Sequence, residues 1–277
     1  MKNVVIIVFT VLFSTVAIAQ KKEKIKGSRT VSVTQKEVSD FNHLEVEDNL
    51  EVFLIKGDEP ALEIEADDNL HEVIVAETYA GKLRITTSKR ITSSKKLIIR
   101  ITYTDELTAV TVKHEVILNA IESLELDNIT IKNIDYSKSY LNVKSKNFSL
   151  SMDNKTKAEI NVQEADSTTI VLSKSANLKA LIASQSAKID LYQKTKATIE
   201  GDAAQAQIRI DNNAEFEGKR FAVESLKVLT EGYSNCNVLA TETISISASG
   251  KTEIQLYGEP KVDIELFADN AKLYKKE

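Results

Sequence analysis

Three apolar triplets recur along this chain at a constant spacing of 19 residues: Ile170-Val171-Leu172, Ile189-Asp190-Leu191 and Ile208-Arg209-Ile210. Each triplet has the apolar-x-apolar pattern of a strand that faces a core on one side. A repeat near 20 residues is typical of solenoids, in which each repeat forms one coil and neighbouring coils bury a shared core. The period therefore predicts a stack of coils.

Alternating apolar stretches occur along most of the chain, whereas apolar residues at helical spacing are scarce. We predict an all-β protein, a right-handed parallel β-helix or solenoid-like stack, with a more hairpin-like N-terminal β region at 40–106 and a repetitive region at 107–274. The separators of the repetitive region are mostly Ser, Asn, Lys, Ala and Asp, which suit polar corners. The alternative is a β-sandwich with strands every 8–12 residues or so.

The N-terminus has the layout of a cleaved secretory signal. Met1-Lys2-Asn3 is basic, the stretch 4–16 is mostly apolar, and Ala17-Ile18-Ala19 is an A-x-A cleavage site. We predict that residues 1–19 are removed after Ala19 and that the protein is exported to the periplasm or cell surface; an uncleaved anchor is the alternative. The Lys-rich segment at 20–39 is predicted to be a flexible basic arm. No second long apolar run follows, so no transmembrane span is expected in the mature chain.

Charge and cysteine content narrow the function classes. The chain has 36 basic and 41 acidic residues, for a net charge of −5, which argues against a nucleic-acid partner. Cys236 is the single cysteine, so no internal disulfide forms, and its strand-like surroundings predict a buried position. The three histidines, His43, His71 and His114, are distant from it in sequence, which disfavours a catalytic thiol.

The order of short motifs over the predicted mature chain resembles the putative auto-transporter adhesin, head GIN domain family. The matching pieces are Phe41-x-x-Leu44-x-Val46-x-x-Asn49-Leu50-x-Val52, Ile55-x-Gly57, Leu62-x-Ile64-x-Ala66-x-x-Asn69-Leu70, Gly81-x-Leu83-x-Ile85, Ser247-Ala248-Ser249-Gly250-Lys251 and Ile254-x-Leu256-Tyr257-Gly258-x-Pro260-Lys261-Val262. The resemblance implies a β-solenoid outside the cytoplasm and supplies no catalytic residues. The chain departs from the family in having only 8 glycines, with Ala, Asn and Ser at most corners.

Motifs for catalysis and metal binding are weak. The chain has no Gly-rich phosphate loop, zinc-type histidine pair or serine nucleophile elbow. Asp67-Asp68-Asn69 lacks the spacing of a calcium loop, so a solvated turn is expected there. Asp190, Arg209 and Asp211 superficially resemble the charged clusters of pectin-cleaving β-helices, but ordinary surface charge is the favoured interpretation. We predict no catalytic, cofactor-binding or metal-ligating residues.

Two functional hypotheses follow. The favoured one is a non-catalytic, adhesin-like or structural binding module, whose long flat faces suit glycans or another cell-envelope protein. The alternative is a carbohydrate-active β-helix enzyme of the polysaccharide lyase or hydrolase type, which would need long loops that enclose its substrate. The 19-residue period also predicts that Ile189 is buried and that Asp190 and Arg209 point outward from adjacent strands.

Overall fold

The computed structural model describes residues 22–277, so the predicted signal peptide and its cleavage site lie outside the described residues. The first half contains β1 to β12: Lys24–Lys26, Val31–Lys36, His43–Val46, Glu51–Lys56, Ala61–Asp67, Ile74–Tyr79, Lys82–Thr87, Arg90–Ser93, Leu97–Tyr103, Ala109–Val112, Ile117–Ala120 and Leu124–Glu125. The second half contains β13 to β23: Asn128–Ile134, Lys138–Lys144, Asn147–Asp153, Lys157–Leu172, Asn177–Tyr192, Lys196–Asp211, Glu215–Thr230, Tyr233–Ala248, Lys251–Tyr257, Lys261–Phe267 and Lys272–Lys275. A single 3₁₀ turn, Asp68–Leu70, is the helical element of this region, and no described helix is long and apolar enough to cross a membrane.

The strands form a β-solenoid of about 9 turns, which confirms the predicted fold class. Successive coils pair in parallel: Ile170 lies opposite Ile189, and Ile189 lies opposite Ile208. The strands β16 to β20 each run for 16 residues and line two sides of a coil. A sandwich of antiparallel hairpins is incompatible with this in-register parallel ladder.

The core consists of apolar columns that run along the stack. Ile170, Ile189 and Ile208 are at most 1% exposed, and Val228 and Ile246 continue the same column at 0%. Alternate residues of each strand point inward because the side-chain period of a strand is two. Each coil alone would leave its apolar row uncovered, so the core forms only by stacking.

One corner of every coil contains residues with positive φ, mostly without glycine. Gln193 and Lys194 have φ of 58° and 63°, and Asn212 and Asn213 in the next coil have 57° and 65°. Asparagine tolerates this left-handed conformation well, whereas lysine and glutamine adopt it at a cost. The N–H of Lys194 donates to the Asn212 carbonyl at 3.0 Å, so hydrogen bonds between coils hold the corner and glycine is not required.

A column of small buried residues follows this corner. Ser137, Thr156, Ala176, Thr195 and Ala214 occupy equivalent positions, because the amide of the residue after each donates to the previous coil's carbonyl at the same position. The sequence also shows a repeated Ala-x-apolar pattern at Ala158, Ala176, Ala197 and Ala214, which suggests one column. The structure divides it: Ala158 and Ala197 lie two positions further along the strand, in a column with Leu178 and Phe216.

The N-terminal region combines the solenoid with antiparallel strands. β3 and β4 begin the parallel ladder by pairing with β10 and β11. β2, β5 and β9 pair antiparallel, and β6 and β7 form a hairpin at Ala80-Gly81. These strands cover the first coil, so the hairpin-like texture of the sequence corresponds to an end cap.

The segment predicted to be a flexible basic arm contains two strands. β1 pairs in parallel with β8, and β2 pairs with β5 through Val31 opposite Asp67. The N–H of Arg29 donates to the Asp67 carboxylate at 3.0 Å, between the two strands. The difference arises because the bonding partners of this segment lie about 40 residues away in sequence (Arg29 to Asp67 is 38) and local composition does not reveal them.

The C-terminal end of the stack has no comparable cover among the described residues. β22 pairs with β20 on one side, and all seven of its residues are exposed. Ile264 continues the core column after Ile246, but it is 51% exposed where Ile246 is 0% exposed. An apolar edge strand of this kind is a site at which another strand can add.

Candidate binding faces

The outward side chains of the solenoid form two continuous faces. The A face is formed by β14 and the first halves of β16 to β18, with outward residues Lys138, Tyr140, Asn142, Lys157, Glu159, Asn161, Asn177, Lys179, Leu181, Lys196, Thr198 and Glu200. The B face is formed by β15 and the second halves of β16 to β20, with outward residues Asn147, Ser149, Ser151, Ser167, Thr169, Val171, Ser186, Lys188, Asp190, Gln205, Gln207, Arg209, Ser225, Lys227, Leu229, Thr243, Ser245 and Ser247. Like positions stand about 4.8 Å apart from coil to coil.

The A face contains an open groove of about 520 Å³ with a mixed lining. Tyr140 and Leu181 bring apolar surface to it and are 41% and 50% exposed. Asn161 donates to the Asn142 carbonyl oxygen at 3.2 Å, so two amides lie beside this apolar surface. Exposed ring surface next to amide groups is suited to binding sugar rings, which have apolar faces and hydroxyl edges.

The B face is a ladder of small polar side chains. Asn147 donates to Asn128 at 2.8 Å, and Thr243 donates to Ser225 at 3.1 Å, so neighbouring coils are linked by side-chain hydrogen bonds. A shallow groove of about 720 Å³ lies above its later coils. At the end of this groove, hydrogen bonds from Ser245 and Lys227 lower the pKa of Glu265. This face offers many donors and acceptors but little apolar surface.

Asp190, Arg209 and Asp211 lie on the outer surface of the stack, as surface charge rather than in an enclosed cleft. Asp190 is paired with Arg209 in the ladder, and Asp211 is paired with Tyr192. The Asp190 carboxylate is 3.9 Å from the Lys188 amine, while Arg209 contacts Glu231 at 3.7 Å. Burial raises the pKa of the Tyr192 hydroxyl, with a further contribution from Asp190. The arrangement has no side chain positioned as an acid opposite a base.

Asp67-Asp68-Asn69 is not the solvated turn that the sequence predicts. Asp67 is 0% exposed and accepts backbone N–H bonds from Arg29, Lys95 and Lys96 at 3.0–3.1 Å. Burial would raise the pKa of Asp67, but these amide bonds lower it overall. The adjacent Asn69 accepts from the Ser28 amide and donates to the Lys26 carbonyl, so the motif fastens the N-terminal segment. Across residues 22–277 no group of three potential metal ligands is assembled.

Cys236 and the histidines do not form a catalytic pair. Cys236 is 1% exposed in the column between Phe216 and Ile254, and burial raises the pKa of its thiol, so it is an inert core residue as expected. His43 is bonded to Thr111 and His71 to Ser32, both in the N-terminal region. Burial lowers the pKa of His43, with a further contribution from Lys82.

A cluster of charges on the N-terminal coils was not anticipated from the sequence. The Glu45 carboxylate accepts from Lys82 and Lys113 at 3.1 Å, and Glu47 accepts from Lys113 at 3.2 Å. Burial of Glu45 would raise its pKa, but the bonds from Lys113 and Lys82 lower it to about 2. The alternating pattern of these strands predicts outward charges, but not that three strands distant in sequence place them together.

The assembled faces and fold can be compared with known proteins. The model of the family described as "Putative auto-transporter adhesin, head GIN domain" matches residues 40–260. The chain belongs to this family. The match includes the N-terminal strands β3 to β9 and the solenoid up to Pro260, so the head GIN domain accounts for both regions of the fold. No curated protein matches the chain.

Three solved structures share the architecture of this head GIN domain. A putative adhesin from Parabacteroides merdae is 17% identical, with a TM-score of 0.67, and one from Parabacteroides distasonis is 17% identical, with a TM-score of 0.63. A structure described as a putative lipid binding protein, also from Parabacteroides distasonis, is 15% identical with a TM-score of 0.58. In each comparison 92% of this chain and 100% of the other are covered. At these identities the likeness establishes the fold.

Proposed function

We propose that this head GIN domain is an exported, non-catalytic binding module that attaches to an extended ligand along its outer faces. The observation that carries the proposal is the A-face groove, where exposed Tyr140 and Leu181 lie beside the amides of Asn142 and Asn161. Such a surface supports contact with several units of a chain-like ligand at once. Membership of a family described as adhesins supports the same role.

A binding role agrees with the openness of both faces better than an enzymatic role does. A polysaccharide lyase or hydrolase encloses its substrate and places an acid and a base about the bond it cleaves. Asp190 and Arg209 instead lie on an open ladder with their own ion-pair partners, Lys188 and Glu231. We infer an adhesin-like role at the cell surface or in the periplasm, with glycans as the first ligand class to test.

The test is a glycan-array measurement paired with a reducing-sugar release assay on the same purified sample. We expect binding to at least one polysaccharide without release of reducing ends. Tyr140→Ala and Leu181→Ser should weaken this binding, whereas Val171→Ser on the B face serves as the matched control. Turnover of a bound polysaccharide, or binding that is unaffected by the A-face changes but lost with the control, would contradict the proposal.

A further inference from the structure

A row of lysines borders the A-face groove. Lys138 pairs directly with Lys157 in the ladder, and Lys157 is followed by Asn177 and Lys196 at the same position. Lys155 and Lys194 lie two residues earlier, at the corner with positive φ. We call these five lysines the lysine row. They stand out because the chain as a whole carries a net charge of −5.

The lysine row is only partly neutralised by the protein itself. Lys196 contacts Glu215 at 2.7 Å, and the neighbouring Lys174 contacts Asp153 at 3.1 Å. Lys155 donates to the Tyr136 hydroxyl instead of a carboxylate. Within the described part of the chain, Lys138, Lys157 and Lys194 have no ion-pair partner, whereas on the B face Lys188 and Lys227 both have one.

Uncompensated like charges at paired positions destabilise a ladder. Lys138 and Lys157 stand about 4.8 Å apart, and Lys157 and Lys196, two coils apart, are separated by about 9.6 Å. Charges at this spacing match a linear polymer that carries one anionic group on each sugar unit or on alternate units. Bound anions would remove the repulsion, and release of their counterions would favour binding.

We propose that the lysine row and the adjoining groove bind a linear acidic polysaccharide, with its carboxylate or sulfate groups on Lys138, Lys157 and Lys194 and a sugar ring over Tyr140. This inference rests on the proposed binding function and specifies its ligand class. Nucleic acid is the other common linear polyanion. The mixed groove favours sugar over nucleic acid, because it has one exposed tyrosine rather than a series of stacking platforms, and Glu159 and Glu200 line it.

The experiment measures binding of the full chain to four probes: polygalacturonate oligomers, heparin oligosaccharides, dextran and single-stranded DNA. The test variant is Lys138→Gln, Lys157→Gln, Lys194→Gln. The matched control, Lys188→Gln, Lys227→Gln, Lys261→Gln, makes the same change of charge on and beside the B face. Circular dichroism verifies that both variants are folded.

We expect an acidic polysaccharide to bind the wild type and the control, and to bind the test variant about tenfold more weakly. Raising salt from about 50 to about 200 mM should weaken wild-type binding by roughly tenfold and test-variant binding much less. Tyr140→Ala should weaken binding by the same factor at both salt concentrations, because ring contact is not ionic.

Equal binding by the two triple variants, equal binding of dextran and acidic chains, or tighter binding of single-stranded DNA would overturn the inference. The outcome for dextran separates the two proposals. Dextran binding without binding of the acidic probes would remove the acidic-ligand inference and leave the proposed function in place. If no saccharide binds here or on the glycan array, both proposals fail.

Discussion

Asp190 and Arg209 occupy paired positions on adjacent strands, yet the Arg209 guanidinium contacts Glu231 at 3.7 Å and lies 5.7 Å from the centre of the Tyr192 ring. The predicted outward placement of both residues is confirmed, as is burial of Ile189 at 0% exposure. A half-exposed arginine can choose among several partners at little difference in energy, so the pair contributes more to register than to stability.

The first prediction contrasts these inward and outward positions. Ile189→Ala should lower the free energy of unfolding by about 2–5 kcal/mol, because it leaves a cavity in a closely packed column. Arg209→Ala should lower it by about 1 kcal/mol or less, since its ion pair is partly exposed. Urea denaturation of the two variants measures the difference. Similar losses for both would contradict the stacked core.

The second prediction concerns a buried hydroxyl. Thr195 is 1% exposed, and its hydroxyl has no hydrogen-bond partner among the described residues. Thr195→Val keeps the shape and removes the unsatisfied group, so it should raise the free energy of unfolding by about 1 kcal/mol. Ser139→Ala is the control and should be destabilising, because the Ser139 hydroxyl donates to Asn133 at 2.9 Å. Thermal melts of both variants test this opposite pair of signs.

The third prediction concerns the open C-terminal end. Ile246 and Ile264 are paired in one column, but they are 0% and 51% exposed. Ile246→Ala should cost about 2–5 kcal/mol, whereas Ile264→Ala should cost about 1 kcal/mol or less, because little apolar surface is uncovered. Chemical denaturation at low protein concentration avoids self-association. A large loss for Ile264→Ala in the monomer would indicate that this end is covered.

The fourth prediction is a pH dependence that arises from Glu45. Its pKa is lowered from 4.5 to about 2 in the folded state by Lys113 and Lys82. A lowered folded pKa stabilises the protein above pH 4.5, and that contribution is lost as pH falls from 4.5 towards 2. The loss should be about 1–3 kcal/mol, reduced by solvent screening. Glu45→Gln should be less stable at neutral pH and should show a shallower decline between pH 4.5 and pH 2; parallel curves for both proteins would exclude Glu45 as the source.

The fifth prediction concerns export. The basic start, the apolar stretch and Ala17-Ile18-Ala19 predict that the exported protein begins at Gln20. N-terminal sequencing of protein recovered from the cell envelope or the medium measures this directly. Ala19→Pro, which disfavours cleavage at the site, should leave the uncleaved precursor. Finding Met1 on the wild-type exported product would contradict the prediction.

The sequence by itself determined the class of fold and the direction of most side chains in the repetitive region. The spacing between Ile170, Ile189 and Ile208 equals the length of one coil, and the alternation within each triplet distinguishes inward from outward positions. Both signals are local, because a strand has a side-chain period of two and a solenoid coil contacts mainly its neighbours. The same logic predicted that Cys236 is buried.

Only the tertiary structure decided how distant segments meet. Asp67 is buried because amides from Arg29, Lys95 and Lys96 converge on it, and no local pattern brings these three residues together. Tyr140 and Leu181 share a groove because the coils between them stack in register. Alternation along a strand states which way a side chain points, but its neighbours across the ladder are chosen by register and by the path of the chain, which are properties of the whole stack.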